Sequence, residues 1–193
     1  MLFRSHPTGQ RRVAHVLPDE REGAQLLLRH CASRGHQNVI FVPFQNESGN
    51  PERDQSVQEF AHELGMNVLV PDMSLKRPEI SQTLIKALRD NPQYTMLICS
   101  QSWALDAIID SLRRINIDQD RSISLATYGM IADHPWGPVR VTHVDYDWTQ
   151  AGEIVHELLQ NAWGGNPSRA TKRIRANLRD YQSVEGIPVQ SAT

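Results

Sequence analysis

Four short apolar runs recur along the chain at nearly constant spacing. They begin at residues 38, 67, 95 and 122, so the successive steps are 29, 28 and 27 residues, the length of a strand–helix–strand unit. Continuous apolar runs are typical of strands that are buried on both faces of a parallel sheet. The predicted strands cover 38–43, 67–71, 95–99 and 122–127, with further short strands at 139–144, 172–174 and 177–181.

The intervals between these runs carry apolar residues at the i, i+3, i+4 and i+7 spacing of a helix. Helices are predicted at about 20–33, from Arg53 to Leu64, from near Pro78 to Asn91-Pro92, at 102–115 and at about 147–163, and Gly65 ends the second of them. Alternating strands and helices indicate an α/β fold with an open, doubly wound parallel sheet. Residues 1–18 offer only a short, polar strand at 12–17. We therefore expect part of a neighbouring lobe to be missing from this chain.

The composition excludes several classes of protein. The 193 residues are 39% hydrophobic and carry a net charge of -2, which allows a sizeable core and gives no basic surface for nucleic acid. Cys31 and Cys99 stand in apolar stretches and are expected to be buried thiols. No apolar run suits a signal peptide or a membrane helix. The chain is predicted to be cytoplasmic, without a membrane partner.

Ligands of doubly wound sheets bind outside the carboxyl ends of the strands. The residues that follow the predicted strands include amides, hydroxyls, aromatic rings and one guanidinium. They are Gln45, Asn46, Arg53, Asp72, Met73, Gln101, Ser102, Trp103, Thr127, Tyr128, Asp145 and Tyr146. Such groups hold hydroxyl-rich ligands by hydrogen bonds and stacking. The alternative is that they are ordinary loop residues.

Enzyme chemistry has little support in the sequence. Neither G-x-G-x-x-G nor G-x-x-x-x-G-K-S/T is present, so no phosphate cradle is predicted. Ser100-Gln101-Ser102 lies at a strand-to-helix turn, where a hydrolase nucleophile would stand, but it lacks the flanking glycines of that turn. His143 and Asp145 have no third metal ligand nearby. We expect no catalytic residue, no metal and no cofactor, and we interpret the basic run 169–179 as a solvated strand pair.

Five ordered motifs resemble the lac/gal repressor (LacI/GalR) family of transcriptional regulators. Residues 16–40 resemble V-x-x-D-N/E-x-x-G-A, a helix and G-H-x-x-I. Residues 53–57 resemble R-x-x-G-F/Y, residues 100–105 resemble N-D-x-x-A-x-G, residues 120–128 resemble D-x-S-I/V-x-G-Y/F-D, and residues 141–152 resemble T-T-I/V-x-Q followed by a glycine. Together the motifs cover about residues 13–183 in the family's order.

The resemblance implies a type I periplasmic-binding-protein-like core of two lobes with an effector between them, and a homodimer. Contact with operator DNA would be made only by a helix-turn-helix head, which this chain lacks. The chain resembles mostly the C-terminal lobe. The implied division is 1–33 as a fragment of the N-terminal lobe, 34–140 as the C-terminal lobe, 141–165 as a return segment of the N-terminal lobe, 166–183 as terminal strands and 184–193 as a disordered tail.

The resemblance also implies roles for individual residues. Arg53 would clamp sugar hydroxyls or a carboxylate, and Met73 falls near a stacking aromatic. Gln101 stands where the family has a ligand-binding acid. Asp19 matches a first-lobe contact and Tyr146 falls near a further effector contact.

The dimer interface implied by the resemblance includes Leu105, on the helix that begins at Ser102, and Trp136. The alternative is that Leu105 belongs to the intramolecular core and that Trp136 lies in a surface loop.

The sequence departs from the family at two acids. Gln101 replaces one. The family's Gly-Tyr-Asp-Asp becomes Thr127-Tyr128-Gly129-Met130, so a hydroxyl-binding Asp is also lost, and Ser56 replaces the glycine of the second motif. Because Arg53 remains, an anionic or phosphorylated effector is a hypothesis. We therefore predict the effector-sensing and dimerisation domain of a repressor that binds a sugar or a sugar-like molecule. A solute-binding protein of the same fold and a small α/β enzyme are the alternatives.

Overall fold

The computed structural model describes residues 14–43, 50–71, 77–119, 122–129 and 141–185 of the 193. The chain forms two compact units. The larger unit comprises Glu20–Tyr146 and Ala176–Thr193, and the smaller comprises Met1–Asp19 and Asp147–Arg175. Among the described residues, no helix has the length and apolar character needed to cross a membrane.

The larger unit is a doubly wound α/β structure around a six-stranded sheet. Its strands are β2 (Asn38–Val42), β3 (Asn67–Leu69), β4 (Met96–Cys99), β5 (Ser124–Tyr128), β6 (Thr142–Tyr146) and β8 (Ala176–Arg179), and its helices are α1 (Glu20–Ser33), α2 (Pro51–Glu63), α3 (Arg77–Asp90) and α4 (Leu105–Gln119). The strand order is β3-β2-β4-β5-β6-β8, and only β8 is antiparallel to its neighbour. The predicted open parallel sheet is thereby confirmed.

Side chains of successive strand residues point to opposite faces of this sheet, and both faces are buried. On one face, Ile40 and Val42 of β2 join a core cluster with residues of α3 and α4. Val39 and Phe41, which alternate with them, are also fully buried. Helices α1 and α2 pack against each other, and α1 contacts β6 and β8. This burial on both sides explains why the strands are continuously apolar in sequence.

Two helix ends follow the local sequence signals. Asn50 caps α2, because its side-chain oxygen accepts a hydrogen bond from the Arg53 backbone N–H at 3.1 Å, and Pro51 occupies the first helical position. At the other end, α2 gives way to Gly65, which has a φ of +68°. The predicted role of Gly65 as the end of this helix is confirmed.

The smaller unit contains β1 (His15–Pro18), α5 (Trp148–Trp163) and β7 (Thr171–Ile174). Strands β1 and β7 pair in parallel as a two-stranded sheet, against which α5 packs. None of the α5 residues is buried, and Trp148 and Trp163 are 57% and 78% exposed. A single helix therefore packs on this small sheet while much of its apolar surface stays exposed.

The unit boundaries differ from those expected from the sequence. The expected fragment 1–33 divides after Asp19, because α1 buries Leu27 and Leu28 completely within the larger unit. The expected boundary at 140/141 lies instead at 146/147, because β6 belongs to the six-stranded sheet.

The C-terminal strands also differ from expectation. The two segments interpreted as a strand pair do not pair with each other: β7 pairs with β1, and β8 pairs with β6. The expected disordered tail, 184–193, includes two residues that are packed in the structure. Val184 is 1% exposed, and the backbone N–H of Glu185 donates to Ser124 Oγ at 2.9 Å. The remainder of that tail, 186–193, lies outside the described residues.

Candidate functional site

A buried carboxylate stands at the start of helix α1. Glu20 is the first residue of α1 and is 1% exposed. Its Oε1 accepts hydrogen bonds from Asn50 Nδ2 at 2.7 Å and from Arg53 Nη2 at 2.8 Å. Its Oε2 accepts from Arg53 Nε at 2.7 Å and from the Tyr146 hydroxyl at 2.6 Å. These four bonds use the accepting capacity of an ionised carboxylate.

Arg53 is the cation that compensates this charge. It lies in the first turn of α2, where the Asn50 cap fixes the backbone, and it is 7% exposed. Besides its two bonds to Glu20, the guanidinium donates from Nη1 to the backbone oxygen of Ser100 at 2.6 Å. Arg53 therefore connects α1, α2 and the end of β4. Of its five N–H groups, three have acceptors among the described residues.

Two tyrosines at the carboxyl ends of neighbouring strands complete the cluster. Tyr128 is the last residue of β5, and its ring centroid lies 4.6 Å from the Arg53 Cζ, a cation–π contact. Tyr146 ends β6 and reaches Glu20 through its hydroxyl. Gly23 makes room for this arrangement, because a Cβ there would lie 3.3 Å from the Tyr146 hydroxyl oxygen.

Burial and the neighbouring charge set the protonation states of Arg53 and Tyr146. Burial alone lowers the pKa of Arg53, but the hydrogen bonds and charge of Glu20 outweigh it and raise the pKa above its ordinary value. Burial, and then the charge of Glu20, raise the pKa of Tyr146. Arg53 is therefore a permanent cation and Tyr146 a permanent hydroxyl donor across the physiological pH range.

The turn that follows β4 contains one buried serine and two side chains with exposed surface, Gln101 and Trp103. Ser100 is fully buried, and its hydroxyl donates to Asp54 Oδ1 at 3.2 Å. Gln101 is half-buried, and it precedes a short 3-10 turn that contains Trp103, which is 40% exposed. An amide and an aromatic face thus lie at the same edge of the sheet as Arg53. Such groups suit a hydroxyl-rich ligand.

The structure brings together some of the effector-binding residues expected from the sequence. Arg53 and Tyr146 belong to the cluster, and Gln101 follows β4 at the same edge. Asp19 belongs to the smaller unit, where its backbone N–H donates to the Ile174 carbonyl at 2.9 Å. Met73 lies outside the described residues.

Of the two expected dimer-interface residues, Leu105 is packed in the core. It is 1% exposed and contributes to the cluster between the sheet and helices α3 and α4. This is the alternative considered from the sequence, and it leaves almost no Leu105 surface for a second copy. Trp136 lies outside the described residues.

Sequence reasoning missed two members of the cluster, Glu20 and the Asn50 side chain. Glu20 stands at the N/E position of the first family motif, directly after Asp19, and acidic residues favour the first turn of a helix. Asn50 carried the Asn-Pro signal of a helix start. Both signals are typical of helix starts, and neither indicates that Glu20 contacts Arg53, which is 33 residues away in sequence.

Metal and thiol chemistry find no support in the part of the chain that the structure describes. No group of three or more His, Cys, Asp or Glu residues is placed to hold a metal ion there. Cys31 and Cys99 are free and buried, as predicted. Burial raises the pKa of each thiol to about 12. Both therefore remain protonated at neutral pH and are poor nucleophiles.

Comparison by sequence finds no relative: no protein-family model and no curated protein matches the chain. Comparison by structure gives clear matches. A LacI family transcriptional regulator from Bifidobacterium animalis subsp. lactis has a TM-score of 0.72 at 17% identity, over 90% of this chain and 69% of that one. A LacI family regulator from Arthrobacter sp. FB24 in complex with lactose has a TM-score of 0.70 at 13% identity, over 88% and 66%. The trehalose repressor from Escherichia coli has a TM-score of 0.68 at 18% identity, over 85% and 63%.

The chain therefore has the periplasmic-binding-protein-like fold of LacI-family regulators. The resemblance to the lac/gal repressor family is confirmed at the level of the fold. The chain spans 60–69% of the length of five such regulators.

Proposed function

We propose that the chain is the effector-sensing region of a LacI-type transcriptional repressor. Its effector would be a small hydroxyl-rich molecule, a sugar or a sugar-like compound, bound at the carboxyl edge of the six-stranded sheet. The observation that carries the proposal is the buried Arg53 guanidinium held at that edge, with two N–H groups beyond those bonded to described residues. Hydroxyl oxygens are suitable acceptors for such donors.

The surroundings of Arg53 support a hydroxyl-rich ligand. Gln101 offers an amide that both donates and accepts, and Trp103 offers an aromatic face for the apolar side of a sugar ring. Similar solved structures include a regulator in complex with lactose and a trehalose repressor. Fold and side-chain chemistry therefore point to the same class of ligand.

Binding rather than catalysis is proposed in part because Ser100, the first serine of the Ser100-Gln101-Ser102 turn, is not placed as a nucleophile. Ser100 is completely buried, and its hydroxyl donates to Asp54. A serine nucleophile needs an exposed oxygen and a base that removes its proton. The proposal extends to a cytoplasmic homodimer that contacts operator DNA through a helix-turn-helix head, as implied by the family resemblance.

A thermal-shift screen tests the proposal, because a ligand that binds only the folded state raises its stability. The panel contains neutral mono- and disaccharides, sugar phosphates, nucleosides and purines. We expect at least one compound to give a saturable shift, worth about 2.7 kcal/mol at a concentration of about 100 Kd.

Two variants locate the binding site. Gln101→Ala is expected to weaken binding, because the half-buried Gln101 follows β4 at the same edge of the sheet as Arg53 and is not a partner in the Glu20–Arg53 pair. The ligand-induced shift is measured from the midpoint of each unliganded protein, so that a difference in intrinsic stability does not enter the comparison. Glu59→Gln, on the exposed surface of α2, is expected to bind like the wild type. A panel in which no compound stabilises the protein, or a shift that Gln101→Ala leaves unchanged, would contradict the proposed site.

A further inference from the structure

Arg53 is expected to bind a ligand, yet its guanidinium already donates hydrogen bonds to the Glu20 carboxylate of the protein itself. Glu20 contacts Nε and Nη2 together, at 2.7 and 2.8 Å. This side-by-side pair of donors is an edge with which arginine binds a carboxylate or a phosphate in two-point fashion. An incoming oxyanion therefore finds that edge filled by an anion of the protein itself.

The charges around the guanidinium add to this effect. The positive charge of Arg53 is matched by Glu20, and Asp54 lies one hydrogen bond further on, through Ser100. Burial raises the pKa of Asp54, opposed by its bond from Ser100 and by the charge of Arg53. With Asp54 protonated the three side chains sum to zero, and with Asp54 ionised they sum to one negative charge. In neither state do they offer net positive charge to an anion.

Glu20 is also held firmly in this position. Besides Arg53, Asn50 and Tyr146 donate to its carboxylate at 2.7 and 2.6 Å. An oxyanion that displaced Glu20 from Arg53 would leave a buried carboxylate without its counter-ion, which is strongly unfavourable. A neutral hydroxyl group needs no such exchange, because it accepts from the two N–H groups of Arg53 that have no acceptor among the described residues.

We propose that Glu20 is a specificity-determining residue that makes the Arg53 site accept uncharged ligands and exclude oxyanions. Replacement of Glu20 by Gln removes the negative charge and creates an oxyanion site at Arg53. The identity of the effector rests on the function proposed above, whereas the exclusion of oxyanions is a property of the Glu20–Arg53 pair. The inference opposes the hypothesis of an anionic effector, which was based on the acids lost at Gln101 and Gly129-Met130.

Inorganic phosphate is the probe that tests this inference. The whole chain and its Glu20→Gln variant are titrated with phosphate up to about 50 mM, with chloride adjusted to hold the ionic strength constant. Unfolding midpoints and titration calorimetry are the measurements. We expect no saturable binding to the wild type. In Glu20→Gln we expect saturable binding, with a Kd at least about tenfold below the highest phosphate concentration of the titration.

Two further variants make the result specific. Glu20→Gln combined with Arg53→Met is expected to lose phosphate binding, because the cation is gone. Glu59→Gln removes a negative charge from an exposed site on α2 and is expected to behave like the wild type. If Glu20→Gln is unfolded in the absence of phosphate, recovery of its far-UV circular dichroism on phosphate addition is the expected result.

Two outcomes overturn the inference. One is saturable phosphate binding to the wild type that Arg53→Met abolishes. The other is a Glu20→Gln protein that phosphate neither binds nor refolds. Both are independent of the effector screen: a screen without hits counts against the proposed function, whereas the phosphate titrations decide whether Glu20 excludes anions.

Discussion

The buried Glu20–Arg53 pair predicts strong energetic coupling between helices α1 and α2. Replacing Arg53 by Met keeps an unbranched apolar chain but leaves the Glu20 carboxylate with two of its four hydrogen bonds. Hydrogen bonds to charged groups are worth about 1.5–3 kcal/mol each, so two of them correspond to about 3–6 kcal/mol. Breaking a buried ion pair by removing one partner typically costs about 3–5 kcal/mol. Glu20→Gln is expected to cost a similar amount, because its amide N–H groups would face a guanidinium that accepts no hydrogen bond.

A double-mutant cycle measures this coupling. The double variant, Glu20→Gln with Arg53→Met, buries no unpaired charge. We therefore expect it to be no less stable than the less stable of the two single variants. The expected coupling energy between the two positions is about 3 kcal/mol. Urea unfolding of the four proteins, followed by far-UV circular dichroism, gives the free energies. Each single variant is expected to lower the thermal midpoint by about 6–20 °C. Single-variant losses that add to within about 0.5 kcal/mol would refute the argument.

The same two helices provide a matched control. Arg21 of α1 and Glu59 of α2 form an ion pair at 3.1 Å, with side chains that are 58% and 41% exposed. Because solvent screens such a pair, Glu59→Gln is expected to cost less than about 1 kcal/mol. If Glu59→Gln and Glu20→Gln are equally costly, the loss comes from any charge change between α1 and α2 and not from burial of the pair.

Two other predictions concern packing and pH. Gly23→Ala places a Cβ 3.0 Å from Val144 Cγ1 and 3.3 Å from Tyr146 Oη, so we expect a net loss of up to about 2 kcal/mol in urea unfolding after the helix propensity of Ala is counted. Gly152→Ala, where no atom lies within 4 Å of the added Cβ, is expected to gain about 1 kcal/mol, and an equal gain for Gly23→Ala would contradict the packing argument. Burial lowers the pKa of His36 below 6.5, against the opposing bond to the Glu185 carbonyl, so the stability it contributes is complete above pH 6.5 and is lost as the pH falls through the lowered pKa. Urea unfolding from about pH 5 to 8 is expected to show a smaller rise of stability with pH in His36→Gln than in the wild type, and an unchanged slope would contradict it.

The order and type of most elements were predictable because they depend on local patterns. A strand buried on both faces leaves a continuous apolar run, as in β2 and β4, whose burial the structure shows. Gly65 ends its helix because a left-handed backbone conformation is needed there. Each of these signals lies within a few residues of the feature it determines.

The arrangement of the short C-terminal strands was not predictable in the same way. Strands β7 and β8 have four residues each and are separated by Arg175 alone, yet they belong to different sheets. Their partners are decided by contacts with β1 and β6, which are distant in sequence. The same holds for Leu105, where helical spacing gives a buried face but does not distinguish a core from a subunit interface.

The motif around Arg53 indicates a ligand-binding residue but does not indicate the charge of the ligand. The family resemblance implied that Arg53 contacts the effector, because of its position in the second motif. The charge of the ligand that a buried arginine binds depends on whether an anion of the protein already neutralises the guanidinium. That anion is Glu20, one residue beyond the Asp19 that the resemblance selected and in a different compact unit. A chain with the same Arg53 motif and a glutamine at position 20 would present an uncompensated cation at the same edge of its sheet. On this argument, the residue at position 20 is a better guide to the charge of the effector than Arg53 or the acids lost elsewhere.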